Sequence, residues 1–290
     1  MRALITGAGG QVGRDLVATA PKNTTVMAYA HGQLDITSDS AVKTVISEFR
    51  PDLLFNCAAY TAVDACETNR ETAWRANAEA PGQIARLCRS AGIRLVHLST
   101  DYVFGGDGTQ PYEPDDPVNP RSEYGRSKAE GERRVCEADP LAVVVRTSWV
   151  YGPGQNNFPQ KILARSRIQD ELRVVDDQRG APTWSHDLAR ALWLLPGRPD
   201  VTGLLHWTAS GNCTWYEFAK AIVEGAQKRG ELIRAKRVVP VSSAEFAAPA
   251  RRPAWSVLSL DKWSRFFPAQ PPRHWKDQLS DYLDSCLKRP

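Results

Sequence analysis

The sequence predicts an α/β fold, a doubly wound parallel sheet with a smaller C-terminal part attached. Three observations predict it. Five short apolar runs recur through the first half, amphipathic stretches lie between them, and a glycine-rich turn directly follows the first run. Nearly continuous apolar runs are strands buried on both faces, as in parallel sheets. Strands alternating with helices wind such a sheet on both sides.

The elements follow in order. Ala3-Leu4-Ile5 is the first strand, and Leu16 and Val17 open the helix after the glycine turn. Val26-Met27-Ala28 is the second strand. Val42, Val45, Ile46 and Phe49 fall at i, i+3, i+4 and i+7, which puts them on one helix face. Leu53-Leu54-Phe55 is the third strand, Ile84, Leu87 and Cys88 mark the next helix, and Leu95-Val96-His97-Leu98 is the fourth strand. Ala142-Val143-Val144-Val145 is the fifth. After Val150 the texture changes, with Gly-Pro punctuation at 152–153, Pro182, and Pro196 to Pro199, and with clustered tryptophans. A helix runs from Trp215 through Phe218, Ala219 and Ile222. We read 1–150 as a dinucleotide-binding domain. Residues 151–290 form mainly a second domain, some of whose segments return to the first.

Bulk properties exclude several classes. Of 290 residues, 42% are hydrophobic and 24% charged, with a formal charge of +4. That is globular composition, and no Lys/Arg block marks a nucleic-acid tail. The six cysteines form no CxxC pair and fit neither a zinc site nor a disulfide framework, which points to free thiols in a reducing compartment. No apolar run approaches the ~20 residues that span a bilayer. A cytoplasmic protein is expected.

Thr6-Gly7-Ala8-Gly9-Gly10-Gln11-Val12-Gly13 is the glycine turn. Gly7 permits the tight turn, Gly10 lets backbone approach a pyrophosphate, and Gly13 lets the helix pack close to the strand. Gln11 and Val12 open the helix, whose free N–H groups and dipole favour an anion. This strand-turn-helix is the dinucleotide fingerprint of a Rossmann-like sheet. The second strand ends Ala28-Tyr29-Ala30-His31 without the acid that binds an adenosine ribose. NADPH is therefore expected, with NADH as the alternative. Asp35 and Ile36 follow and are expected to flank the adenine.

The fourth strand ends Leu98-Ser99-Thr100-Asp101-Tyr102, and Tyr124-Gly125-Arg126-Ser127-Lys128 comes next. Tyr124 and Lys128, four apart, share one helix face. A phenol near pKa ~10 is a poor acid or base at neutral pH. A cationic lysine one turn away is expected to lower it. Tyr124 then exchanges a proton with a carbonyl or alcohol oxygen that Thr100 orients, while a nicotinamide carries the hydride.

These residues resemble the extended short-chain dehydrogenase/reductase family. Within it, the segments Asn56–Glu67, Ser99–Phe104, Arg146–Gly152, Asn157-Phe158, Asp176–Thr183, Arg252-Pro253 and Ser256–Leu258 resemble the dTDP-4-dehydrorhamnose reductases over about residues 1 to 285. Gly105 departs from the family's usual Asp. The resemblance implies NAD(P)H-dependent reduction of the C4 ketone of a dTDP-sugar. It gives Tyr124 as the proton donor and Lys128 on the nicotinamide ribose. Thr100 and Asp101 contact the sugar and Trp149 packs against it. Ala58, Ala59 and Tyr60 border the cofactor, and Asn157, Phe158 and Gln178 line the substrate side. Some relatives hold Mg²⁺ between subunits through glutamates. The tail Asp284–Pro290 offers only Asp284, so no metal is expected here, and monomer and homodimer both stay open. A dehydratase would carry a second acid after the strand-end threonine, where Tyr102 stands. A 4-epimerase of the same superfamily, or a non-catalytic subunit like the β subunit of methionine adenosyltransferase, are the alternatives.

Overall fold

A computed structural model describes residues 1–154 and 156–287. Lys288 to Pro290, at the end of the tail considered above, lie outside the described residues. Strands β1 (Arg2–Thr6), β2 (Thr25–Tyr29), β3 (Leu53–Asn56), β4 (Arg94–Thr100) and β5 (Val143–Thr147) join β10 (Gly203–His206) in one six-stranded sheet. Its order is β10-β5-β4-β3-β1-β2, and every pair is parallel. The chain goes from β1 to β2 on one side, then crosses to β3 on the other. That reversal opens a crevice at the carboxyl ends of β1 and β3, where ligands bind in open α/β sheets.

Side chains alternate between the two faces of each strand. Leu4, Leu54, Leu95 and Val144 are buried against α2 (Asp39–Phe49) and α5 (Ala80–Ala91), with Val42, Ile46, Phe49 and Ile84 opposite. Ala3, Ile5, Phe55, Val96 and Val145 face the other way, toward Leu16 of α1 (Gln11–Ala18). Leu188 and Leu192 of α8 (Ser185–Leu192) complete that layer, with Trp263 of α11 (Asp261–Phe266). Both faces are covered, which is why the strands read as unbroken apolar runs.

Between β3 and α5 lie α3 (Val63–Cys66), α4 (Arg70–Trp74) and a π-helical turn, Arg75–Glu79. The helix α6 (Glu123–Ala138) starts at Ser122, whose side chain accepts the Gly125 N–H. It crosses the π turn at Gly131, where an added Cβ would fall on the Asn77 carbonyl oxygen. Inside, Arg146 of β5 meets Glu132 of α6 at 2.8 Å, donates to Pro114 O, and lies over the Phe104 ring. Both partners are buried, so neither charge can lose the other cheaply.

A second core gathers α7 (Phe158–Ser166), α9 (Trp215–Gln227) and α12 (Trp275–Cys286) around Tyr151, Phe218, Ile222, Trp275 and Leu283. A Thr214–Glu217 capping box starts α9 where the apolar period predicts a helix. Short strand pairs frame this core: β6 (Val150–Tyr151) with β9 (Thr183–Trp184), β7 (Glu171–Val175) with β12 (Arg237–Val241), and β8 (Arg179–Gly180) with β11 (Cys213–Thr214). The short helix α10 (Ser243–Phe246) follows β12. Among the described residues, no helix is long and apolar enough to cross a membrane.

Candidate active site

The glycine turn sits at the β1/β3 reversal. Gly7 adopts φ +71°, and a Cβ there would lie 2.6 Å from the Ala58 nitrogen. A Cβ on Gly13 would fall on the Gly7 carbonyl oxygen. Only hydrogen fits at either position. Gly10 stands just before α1, and its N–H closes the turn on Gly7 O at 3.0 Å. The first turn of α1 holds no acid and no side chain caps it. Its N–H groups therefore remain available to an anion. Gln11 reaches across to Val150 O at 3.3 Å, while the Val12 side chain is core. Asp35 is exposed and takes the Thr37 N–H at 2.9 Å, whereas Ile36 is buried with Leu34.

Strand β4 ends at Thr100, and Asp101–Val103 form a 3₁₀ turn where the sequence reading continued the strand end to Tyr102. Thr100 Oγ1 accepts the Tyr102 N–H at 3.2 Å and donates to Asp101 Oδ1 at 3.0 Å. These bonds aim the threonine at Tyr124. Asp101 is buried with Oδ2 unpartnered, and burial pushes its carboxyl up to about 6. Tyr124 is 9% exposed and sits edge-on to Tyr102, with ring centroids 5.6 Å apart. Around it pack Tyr60, Val63, Cys66 and Ala73. Tyr60 is fixed through its backbone, donating to Asn77 Oδ1 at 2.8 Å and accepting from Asn77 Nδ2 at 3.0 Å. Asn77 also donates to Ser127 Oγ at 3.0 Å, which ties the π turn to α6.

The electrostatics correct one expectation. The sequence reading has Lys128 lowering the Tyr124 phenol, but burial pushes that phenol well above its ordinary value, with only the Thr100 hydroxyl opposing. Desolvation outweighs a lysine one turn away. Tyr124 is thus held as a neutral O–H donor. Lys128 carries the lowered group instead: burial brings its ammonium down to about 8, opposed by Glu132 and Cys57. Its Nζ donates to Leu98 O at 2.6 Å.

On the other wall, Trp149 takes φ +47°, a left-handed conformation rare for a bulky residue. Its indole stacks on Trp215 with centroids 3.6 Å apart, and Phe158 closes on Trp215 at 4.5 Å. A Cβ on Gly180 would come 2.6 Å from the Trp149 ring, so that glycine makes room for it. Gln178 donates to Ser243 Oγ at 2.7 Å and lines a cavity of 380 Å³ with Ala250, Arg252 and Ala254. Arg252 pairs with Asp64 at 2.9 Å. The geometry thus brings together Thr100, Asp101, Tyr124 and Lys128, and separately Trp149 and Phe158. Asn157 is spent elsewhere: it caps α7 through Gln160 N and donates to Gly152 O and Gly154 O. Sequence reasoning missed Trp215, Asn77 and His97. His97 carried a signal, as the single polar residue inside an apolar strand run.

A parallel sheet with a glycine turn at its reversal point, and a buried Thr-Tyr-Lys set beside it, defines an oxidoreductase-type dinucleotide site. The chain matches the model of the RmlD substrate binding domain over residues 1–288 and belongs to that family. It is 45% identical to a probable dTDP-4,6-dihydroxy-2-methyloxan-3-one 4-ketoreductase of Streptomyces antibioticus, over 99% of this chain and 96% of that one. The crystal structure of a dTDP-4-dehydrorhamnose reductase from Clostridium acetobutylicum superposes with a TM-score of 0.93 at 39% identity, covering 99% of this chain and 100% of that one. A dTDP-4-dehydrorhamnose reductase from Bacillus anthracis, solved in complex with NADP, gives 0.92 at 35% identity, covering 98% and 99%.

Proposed function

We propose that this chain is an NAD(P)H-dependent reductase acting on the C4 ketone of dTDP-4-dehydro-β-L-rhamnose to give dTDP-L-rhamnose. One observation carries the reading: a buried Tyr124, held protonated, bonds to Thr100 and shares its helix with the buried Lys128, in a fold whose glycine turn admits only hydrogen at Gly7 and Gly13. Ketone reduction needs a proton donor at the carbonyl oxygen, and a phenol kept protonated by burial supplies one. Without substrate Thr100 donates to Asp101, and with substrate its hydroxyl turns to donate to the ketone oxygen and orient it for Tyr124. Lys128 holds the cofactor ribose. Gly7, Gly10 and Gly13 with the N-terminus of α1 cradle the pyrophosphate, and Ala58, Ala59 and Tyr60 border the cofactor. When bound, the dinucleotide supplies the hydride. Trp149, backed by Trp215 and Phe158, offers an apolar wall to the deoxysugar. Gln178 and Arg252 line its polar end.

The absence of an acid after β2 favours NADPH over NADH. The test mixes purified protein, NADPH and enzymatically generated dTDP-4-dehydrorhamnose and follows loss of reduced-cofactor absorbance. Turnover with this sugar supports the reading. No oxidation, under conditions where an established reductase works, sinks it. The similarity to the Streptomyces antibioticus ketoreductase favours a second reading, a closely related deoxysugar 4-ketone as substrate. Comparing kcat/KM for the two sugars decides between them.

A further inference from the structure

His97 lies in β4, fully buried, three residues before Thr100. It belongs to an unbroken polar chain through the sheet. Thr6 Oγ1 donates to Asn56 Oδ1 at 2.7 Å, Asn56 Nδ2 lies 3.1 Å from His97 Nδ1, and His97 Nε2 lies 3.4 Å from Lys128 Nζ. The chain thus crosses three adjacent strands, from the residue before Gly7 to the lysine of the site. Burial and the Lys128 charge hold the imidazole neutral, far below its ordinary value.

A neutral imidazole has one donor and one acceptor nitrogen. With Asn56 Nδ2 donating to Nδ1, the ring proton sits on Nε2 and faces Lys128. That arrangement suits the amine form of the lysine, which can accept. Turning the Asn56 amide over reverses every polarity. Asn56 Nδ2 then donates to Thr6, His97 Nδ1–H donates to Asn56 Oδ1, and Nε2 accepts from the lysine ammonium. The histidine keeps one proton throughout, and only the lysine gains or loses one.

We propose that His97 is a positioning residue for Lys128, a neutral two-faced partner that fixes Nζ against Leu98 O in either charge state and switches tautomer as the lysine titrates. Other groups facing the pair do not duplicate this. Cys57, on the loop after β3, is a thiol that burial pushes up to about 12. Glu132 is occupied by Arg146, Tyr124 is held protonated, and Asp101 donates its influence to Thr100 and Tyr124. His97 is the ring nitrogen that meets Nζ.

The inference rests on the reading of Lys128 as a cofactor-binding lysine, so its test does not use the sugar. NADPH affinity is measured by fluorescence titration across pH for the wild type, His97→Phe and His97→Gln. His97 bonds both forms of the lysine, but the bond from the ammonium is charge-assisted and the stronger, so it holds the lysine pKa up. In His97→Phe the lysine midpoint, near 8 in the wild type, is expected to fall by about one pH unit. Several-fold weaker NADPH binding at pH 7.5 accompanies it, and glutamine, which both donates and accepts, restores the midpoint. A purely structural histidine would change thermal stability and leave the midpoint where it is. That result, in a folded His97→Phe, overturns the inference. If the Phe variant does not fold, ¹⁵N imidazole shifts in the wild type decide: the protonated nitrogen swaps from Nδ1 to Nε2 as pH rises through the lysine midpoint. One tautomer across that range overturns the inference. Failure of every variant and the wild type to bind NADPH would instead defeat the proposed function.

Discussion

At the scale of single residues, burial sets the chemistry. Tyr124 is kept protonated above the ordinary phenol range, so it does not limit reduction in mildly alkaline solution. Lys128, brought down to about 8, does. We expect kcat/KM for ketone reduction to fall as pH rises through about 8, with Tyr124→Phe lowering kcat by about 10²-fold or more. A plateau extending past pH 9.5, or near-normal turnover in the variant, would remove these roles. Asp101 bears on stability. Its folded value of about 6 exceeds the ordinary 3.8. Below 3.8 both states hold the proton. Between the two values only the folded chain holds it, so stability falls as pH rises through that window and stays low above about 6. Asp101→Asn lacks this cost. We expect it to be more stable than the wild type by on the order of 3 kcal/mol at pH 8, with the difference mostly gone near pH 4. Urea denaturation at both pH values checks it, and an equal difference at the two refutes it. Thr100, Tyr124 and Lys128 were legible because order and spacing alone put them together. The direction of the Tyr124 shift was not, because it depends on how many apolar groups close over the phenol. Nor was Asn157, whose side chain is consumed by a helix cap that sequence spacing does not distinguish from a binding role.

At the scale of elements, close approach fixes where α6 carries Tyr124 and Lys128. Alanine normally stabilises a helix interior over glycine by about 1 kcal/mol. Gly131 inverts that preference, because its Cβ would collide with the Asn77 carbonyl of the π turn. Asn77 holds Tyr60 and Ser127, so pushing it away disturbs the floor under Tyr124. Gly131→Ala is expected to destabilise the fold by about 1–3 kcal/mol, as overpacking does, and to lower kcat. Thermal melts with parallel kinetics test it; a stabilised, fully active variant would show that α6 and the π turn are not in register-defining contact. The helix itself was readable from the four-residue spacing of Tyr124 and Lys128, but the π turn was not. One extra residue per turn leaves no mark in composition, and here the turn presents Asn77 to Ser127 of α6.

At the scale of the whole molecule, the first half of the chain does not close its own core. The five leading strands were legible because two covered faces demand unbroken apolar runs. The sixth was not, since Gly203-Leu204-Leu205-His206 is short and lies far along the chain from its neighbour β5. Its pairing is decided by packing rather than local pattern. The consequence is physical. The face of the sheet that carries Ala3, Ile5, Phe55 and Val145 is completed by Leu205 of β10 and packed with Leu188, Leu192, Trp207 and Trp263, all from beyond residue 150. Without them, α1 alone shields that face, β5 becomes an exposed edge, and Phe55 loses the Trp193 ring stacked edge-on at 4.8 Å. Fully burying one large apolar side chain contributes about 1.5–3 kcal/mol, and a whole domain is stable by only about 5–15 kcal/mol. Five such residues together contribute about 7.5–15 kcal/mol, which is as large as that whole margin. Residues 1–151 expressed alone are therefore expected to show no cooperative unfolding and no NADPH-dependent stabilisation, although the glycine turn is intact. Calorimetry with and without NADPH measures both. A sharp, cofactor-shifted transition in the fragment would show instead that the first half folds by itself and that the returning segments are additions to a finished domain.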